Sequence, residues 1–330
     1  MKTLFNLKSV LRSLMLSLIF ISAMAANARE TDQYLTWSLE LPDSAPLIND
    51  YMMKHMQSVL NDPANKQKKC QDISLKFFKK LVGTFTFSQF SLWAQNGLEM
   101  QDYRFPPKGV SKFDYVKKSI FAGNGASPII KWIIGLAPSI NVNGIYLGTD
   151  KLGHISYMGY KYYRKYLKLV KKGMGEDLAL TKVIKDGLKS ETMLGGFYGT
   201  TSPSDLEANY QGLQLAIDLC HGSNPILTKQ ASKWIVDSER FKIQNYVSPE
   251  FDESYYPLIF GRLTWNKSAK NRIQKICQQA DLSIVTRRFA DYRTRFIPSR
   301  NIEIMSRKMR SDRTFNNSKF NYQNVCGFEL

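Results

Sequence analysis

Capping residues and glycines divide residues 149–222 into three consecutive helical segments. Each segment opens with residue types that favour helix N-termini and closes at glycine, where helices commonly end. The three run from Thr149 or Asp150 to about Lys172, from Glu176 to about Leu194, and from Ser202-Pro203-Ser204-Asp205 to His221-Gly222. Three helices in succession predict a mainly α fold, which we expect to be an irregular helical bundle with long loops.

Helical patterns also occur on both sides of this region. Residues 43–61 and 66–81 carry apolar side chains at helical spacing, and residues 231–241 and 269–280 look helical as well. Between the first helices and the central region the pattern is different. Apolar and polar residues alternate in 84–90 enough for a strand or an irregular edge, and residues 103–127 contain the prolines and glycines of a loop or domain seam. Residues 128–148 form the most apolar stretch, which we expect to be buried core; an interfacial membrane patch is the alternative.

The first 28 residues resemble an export signal. Lys2, Lys8 and Arg12 precede an apolar run too short to cross a bilayer, and small residues that permit cleavage after Ala25 or Ala28 follow it. An uncleaved membrane anchor is the alternative. The chain is therefore predicted to be periplasmic or secreted. We divide it into a signal peptide (1–28), an N-terminal helical region (29–125), a central helical core (126–222), and a C-terminal helical and loop region with a basic tail (223–330).

The cysteine content agrees with an oxidising compartment. Cys70, Cys220, Cys277 and Cys326 follow the predicted signal peptide, and four cysteines can form two disulfides in three ways. The sequence does not choose among these pairings, and free buried thiols are the alternative. The absence of a C-x-x-C pair excludes a thioredoxin-like motif and a zinc knuckle.

The charge of the chain favours an anionic partner. Its 46 Lys and Arg residues exceed its 28 Asp and Glu residues, which gives a formal net charge of +18. On the first central helix, a lysine stripe (Lys161, Lys165, Lys168 and Lys172) predicts contact with an anionic membrane surface or cell-wall polymer. A solvated helix face is the alternative, and nucleic acid is not an expected partner of an exported protein.

Polar residues on the three central helices are spaced so that they can converge. Asp150 and His154 are four residues apart, as are Asp205 and Asn209, so each pair lies on one helix face. In an antiparallel arrangement the start of the first helix lies near the end of the second and the start of the third. Asp150, Lys151, His154, Glu191, Asp205 and Asn209 are therefore expected to meet at one end of the bundle.

These residues resemble the pattern of VanZ-like and YfiM-like bacterial envelope proteins. The shared elements are Asp150-Lys151-Leu152-Gly153-His154, then Glu191, then the run from Ser202 through Asp205 and Asn209 to Gly212. The resemblance covers about 65 residues. It implies an envelope protein, and because the first helix carries many lysines, a water-soluble relative of those membrane proteins. The family offers no settled activity to carry over.

Three interpretations of the polar residues remain open. Asp150 and Asp205 can be helix caps, with His154 and Asn209 hydrogen-bonded between helices. Alternatively, His154 is a general acid or base oriented by Asp150 or Glu191, with Lys151 binding an anionic substrate. A third possibility is a divalent-metal site formed by Asp150, His154, Glu191 and Asp205. The sequence identifies no cofactor. Outside this set, the acidic run of Glu250, Asp252 and Glu253 is expected to be loop surface.

The predicted function follows from compartment and charge. We expect an exported, mainly helical cell-envelope protein that acts at an anionic lipid or wall surface. The alternative is a hydrolase that acts on a phosphorylated lipid or wall precursor through the His154 cluster.

Overall fold

The computed structural model describes residues 30–83, 88–122, 136–198, 200–256, 258–311 and 326–327. The predicted signal peptide lies outside the described residues, as do all of the apolar residues 128–135 and most of the basic tail. In the part of the chain that is described, the fold is mainly α, as predicted.

Twelve helical segments and seven short strands form the framework of the described residues. The helices are α1 (Ala45–Leu60), α2 (Cys70–Val82), α3 (Gln89–Asn96), α4 (Lys112–Lys118), α5 (Thr149–Gly153), α6 (Gly159–Lys171), α7 (Glu176–Tyr198), α8 (Pro203–Cys220), α9 (Arg262–Thr264), α10 (Lys270–Ile276), α11 (Ser283–Arg295) and α12 (Arg300–Ser311). The strands are β1 (Arg104–Phe105), β2 (Ser139–Val142), β3 (Ile145–Gly148), β4 (Thr200–Thr201), β5 (Leu227–Gln230), β6 (Lys233–Val236) and β7 (Ile259–Phe260).

The three predicted central helices are present. A π-helical turn (His154–Met158) joins α5 to α6, so the first of them is continuous from residue 149 to residue 171. It ends before Gly173, whose φ of 86° suits glycine. The third, α8, begins with proline after Ser202, whose hydroxyl accepts a hydrogen bond from the backbone N–H of Asp205.

Helix α8 packs directly against the π-helical turn and α6 at a pair of glycines. A Cβ atom on Gly212 would overlap the carbonyl of Ile155, and one on Gly159 would overlap the backbone of Gly212. Tyr163 and Tyr166 of α6 are buried nearby in the main hydrophobic core. This close backbone approach fixes α8 beside the start of the first central helix, where the polar residues lie.

A small antiparallel sheet positions the N-terminus of α5. Its order is β1-β2-β3, and Ser139 pairs with Gly148, the residue before α5. Strands β2 and β3 are almost wholly buried, so the described part of the 128–148 segment is core, as predicted. The sequence did not indicate that this segment forms strands.

Several local predictions were wrong. Residues 231–241 are not helical, because β5 and β6 form a hairpin there, with Ala231 and Ser232 at positive φ in its turn. Residues 89 and 90 begin α3, whereas residues 84–87 of the predicted strand lie outside the described residues. The 103–127 segment contains β1 and α4 as well as loop. Before the basic tail, α12 buries Ile302 and Met305, and most of the tail beyond them lies outside the described residues.

The four cysteines form two disulfides, and one of the three possible pairings is thereby selected. Cys70 is bonded to Cys220, and Cys277 to Cys326. The first bond links the start of α2 to the end of α8. Among the described residues, no helix combines the length and the apolar character that a membrane span requires.

Candidate functional site

A fully buried lysine lies at the centre of the predicted cluster. The Nζ atom of Lys151 lies 2.7 Å from Oδ2 of Asp150, 2.6 Å from Oδ1 of Asp205 and 2.7 Å from Oε1 of Glu253. The three donor hydrogens of an ammonium group match these three acceptors. The side chain of Lys151 has no solvent exposure, so this ammonium is neutralised by protein groups alone.

Three parts of the chain bring these groups together. Asp150 and Lys151 lie in the first turn of α5, directly after β3, and Asp205 lies in the first turn of α8. Glu253 follows a 3₁₀ turn formed by Pro249–Phe251. Glycine is needed at position 148, because a Cβ atom there would overlap the side chains of Thr31 and Asp150.

Hydroxyl groups hold two of the carboxylates in place. Thr31 donates a 2.6 Å hydrogen bond to Oδ1 of Asp150, and Ser202 donates a 2.7 Å hydrogen bond to Oε1 of Glu253. Ser202 therefore both caps α8 and donates a hydrogen bond to a carboxylate of the cluster. These hydrogen bonds orient both carboxylates through protein groups alone.

The capping interpretation accounts for Ser202 but not for the two aspartates. The N-cap of α5 is Gly148, and no side chain forms a capping hydrogen bond there. The carboxylate of Asp205 contacts Lys151. The aspartates therefore belong to a charged network that connects three segments.

His154 lies one helical turn beyond Asp150, at the start of the π-helical turn. Its Nδ1 atom is 2.9 Å from Oδ1 of Asn209, and its Nε2 atom is 3.4 Å from Oδ2 of Asp205. The amide nitrogen of Asn209 donates to the hydroxyl of Tyr162 at 3.4 Å. The histidine is 7% exposed, and its Nε2 atom is shielded from solvent without a hydrogen-bond partner among the described residues. Single π-helical turns occur frequently at functional sites.

Glu191 lies at the edge of the cluster rather than within it. It is partly buried on α7, and among the described residues it forms no hydrogen bond or ion pair. Burial, followed by the negative charges of Asp205 and Glu30, raises the pKa of Glu191 to about 8. This shift favours the protonated form of Glu191.

Burial and mutual charge also shift the pKa values inside the cluster. Desolvation lowers the pKa of Lys151, but Asp150, Asp205 and Glu253 outweigh it and raise that pKa well above its usual range. Desolvation raises the pKa of Asp205, but His154 and Lys151 hold it below the usual value. Burial raises the pKa of Glu253 well above normal despite its contact with Lys151. The cluster thus contains a permanent ammonium, an ionised Asp205 and a carboxyl that favours its protonated form.

The structure brings together five of the six residues predicted for the site and places Glu191 beside them. Sequence analysis missed Glu253 and Thr31, which are 102 and 119 residues from their partners. The acidic run was wrongly expected to be loop surface, since Glu250, Asp252 and Glu253 are each at most 1% exposed. Aromatic residues within and after this run (Phe251, Tyr255 and Tyr256) were the available signal for burial.

A second feature lies on the solvent-exposed side of α6. Lys161, Lys165, Lys168 and Lys172, the predicted lysine stripe, are all exposed, and so are Arg164 and Lys171. Among the described residues only Lys165 of this set pairs with a carboxylate, that of Asp186 at 2.7 Å. This basic face is hereafter the α6 basic face.

Comparisons with protein-family models, with curated proteins and with solved structures found no match to this chain. The resemblance to VanZ-like and YfiM-like proteins therefore stays a prediction.

Proposed function

We propose that this chain is an exported protein that binds an anionic phospholipid surface of the cell envelope through the α6 basic face. The observation that carries the proposal is the scarcity of counter-charges on that face. Of its six cations (Lys161, Arg164, Lys165, Lys168, Lys171 and Lys172), only Lys165 has a carboxylate partner within the described part of the chain. An unpaired row of exposed cations supplies attraction for phosphate groups.

The opposite face of α6 keeps these cations directed outward. Tyr162, Tyr163 and Tyr166 are each at most 8% exposed and pack into the main core. Because the apolar side of the helix is already buried, α6 has no free apolar face to insert among acyl chains. Binding is therefore electrostatic and peripheral. The disulfides agree with an oxidising compartment, which supports export.

Replacing Lys161, Lys165, Lys168 and Lys172 together by glutamine should weaken binding to anionic vesicles by roughly 100- to 1000-fold. The reason is that each cation held near an anionic surface contributes about 1 kcal/mol. Co-sedimentation with vesicles of phosphatidylglycerol and phosphatidylcholine measures this change. Binding by the unaltered chain should also fall as salt rises, since charges more than about 10 Å apart are screened at 0.1 M salt.

A variant with the same change in net charge provides the control. Lys117, Lys118, Lys267 and Lys270 are exposed but lie on other elements. Their replacement by glutamine should leave most of the binding intact. Equal losses of binding in both variants would mean that the net charge of the chain, and not the α6 basic face, determines vesicle binding. Unchanged binding in the α6 variant would identify the stripe as a solvated helix face. Retained binding to a phosphate-rich wall polymer with none to vesicles would replace lipid by wall as the partner.

One observation favours hydrolysis of a phosphorylated lipid or wall precursor as a second candidate function. The Nδ1 atom of His154 is held by Asn209, and its Nε2 atom is unpartnered beside Asp205. Such an imidazole can accept a proton from water as the water oxygen attacks phosphorus, and then return the proton to the leaving oxygen. If so, His154→Gln should retain the fold and lose phosphate release from phosphatidic acid or phosphatidylglycerol phosphate by roughly 100-fold or more. Equal release by this variant and the unaltered chain would exclude the role.

A further inference from the structure

The Nε2 atom of His154 is an unsatisfied buried polar atom of the central cluster. It is buried within a residue that is only 7% exposed, and it has no hydrogen-bond partner among the described residues. Buried polar atoms in proteins nearly always have a partner. Oδ2 of Asp205 lies 3.4 Å from it, and no hydrogen bond joins the two atoms. A bound cation would provide the partner that Nε2 of His154 lacks.

The separation of the donor atoms suits such a cation. Ligand atoms of Asp150, His154 and Asp205 all lie within 4.8 Å of one another. Two ligands about 2.1 Å from a tetrahedral zinc ion stand roughly 3.4 Å apart, which is the observed separation of Nε2 and Oδ2. Lys151 contacts Oδ1 of Asp205, so Oδ2 remains for another partner.

The hydrogen bond between Nδ1 of His154 and Asn209 also favours a cation at Nε2. Asn209 presents its carbonyl oxygen to Nδ1, and its amide nitrogen is engaged by Tyr162. A carbonyl oxygen can only accept, so this contact places a proton on Nδ1, and in the neutral imidazole Nε2 is then left with its lone pair. Metal-binding histidines commonly donate their second N–H to a carbonyl or carboxylate in this manner.

The charge balance of the cluster also leaves room for a cation. Lys151 contacts three carboxyl groups, and even with the carboxyl of Glu253 protonated its single positive charge faces the carboxylates of Asp150 and Asp205. The ammonium repels a second cation, but the attraction of the carboxylates, which outnumber it, is larger than that repulsion.

We propose that Asp150, His154 and Asp205 bind one divalent transition-metal ion, with Asn209 as the positioning residue of the imidazole. One nitrogen and two carboxylate oxygens favour Zn²⁺ over Mg²⁺ and Ca²⁺, because imidazole is a good ligand of Zn²⁺ whereas Mg²⁺ and Ca²⁺ prefer oxygen ligands alone. Three protein ligands leave one position of a tetrahedral ion open. This site lies away from the α6 basic face, so it goes beyond the proposed surface binding and stands or falls separately from it.

The test begins with the oxidised full-length chain after removal of metal with EDTA. One equivalent of Zn²⁺ should bind, and mass spectrometry of the dialysed protein should find one ion per chain. The melting temperature should rise with the Zn²⁺ concentration, because a ligand that binds only the folded state stabilises it. Mg²⁺ at the same concentration should cause little change. Co²⁺ should add visible absorption bands, which report the ligand set directly.

Two variants and one control locate the ion. His154→Gln should lose stoichiometric binding, and Asn209→Leu should weaken binding by roughly 10- to 100-fold, as is common when the partner of a metal-binding histidine is removed. His221→Gln is the matched control, because His221 contacts Tyr163 outside the cluster, and it should bind as the unaltered chain does. Full binding by His154→Gln would place the ion elsewhere and overturn the proposal.

An imidazole ¹⁵N spectrum of the unaltered chain makes the result independent of how the variants fold. The chain has only three histidines, so their signals can be separated. Zn²⁺ should shift the Nε2 signal of His154 and leave its Nδ1 signal in the protonated form. If Zn²⁺, Mn²⁺ and Co²⁺ all fail to bind and no histidine signal shifts, the cluster is a purely protein-internal network and the proposal is wrong.

Discussion

Replacing Lys151 by methionine should lower the free energy of unfolding by about 3–5 kcal/mol, the usual effect of removing one partner from a buried ion pair. Methionine fills a similar volume but leaves Asp150, Asp205 and Glu253 without their shared cation. Buried carboxylates without a partner must either remain charged at high cost or take up protons. Equilibrium unfolding in urea, followed by circular dichroism, measures the change.

The pH dependence of this variant tests the cause of its destabilisation. Without the ammonium, the three carboxyls should have pKa values above those of the unfolded chain. A group with a raised folded-state pKa is favoured in the folded protein when protonated, so the deficit should shrink as pH falls toward 5 and grow as pH rises. Lys165→Met is the matched control, since Lys165 forms an exposed pair with Asp186. It should cost at most about 1 kcal/mol. A Lys151→Met chain as stable as the control at pH 8 would mean that the network is uncharged.

The site could be predicted in part because its components lie at helix starts. The spacing of Asp150 and His154, and of Asp205 and Asn209, requires only helical periodicity, and the caps at 149 and 202 mark where those helices begin. Glu253 and Thr31 could not be found in this way. They reach the cluster from loops more than 100 residues distant, and no local pattern encodes such a contact.

Local irregularities account for the other differences between prediction and structure. The β5–β6 hairpin turns at Ala231 and Ser232, which adopt the positive φ angles that Asn and Gly usually supply, so the turn signal is absent from the sequence. The π-helical turn at His154 adds a residue to one turn without changing the apolar pattern around it. The sequence therefore does not indicate this turn, which the structure shows where Ile155 packs against Gly212. Burial of Glu250, Asp252 and Glu253 depends on partners from distant helices, such as Tyr292, which donates to Asp252.

Removal of the Cys70–Cys220 disulfide, by replacing both cysteines with serine, should cost about 2–5 kcal/mol of folding free energy. The bond closes a loop between residues 150 positions apart, so it restricts the unfolded chain strongly. It also ties α2 to the end of α8, the helix that carries Asp205 and Asn209. Urea unfolding of the double variant, compared with the oxidised chain, measures the loss.

The second disulfide serves as the internal control for this prediction. Cys277 and Cys326 are only 49 residues apart, and the loop-entropy relation makes their bond worth roughly 1 kcal/mol less than the first. Replacing them with serine should therefore lower stability by the smaller amount, and it leaves α2 and α8 linked. A reducing agent should reproduce the sum of the two losses in the unaltered chain. If reduction left the melting temperature unchanged, the cysteines would be thiols in the folded protein. The case for an oxidising compartment, and with it the strongest structural support for export, would then be lost.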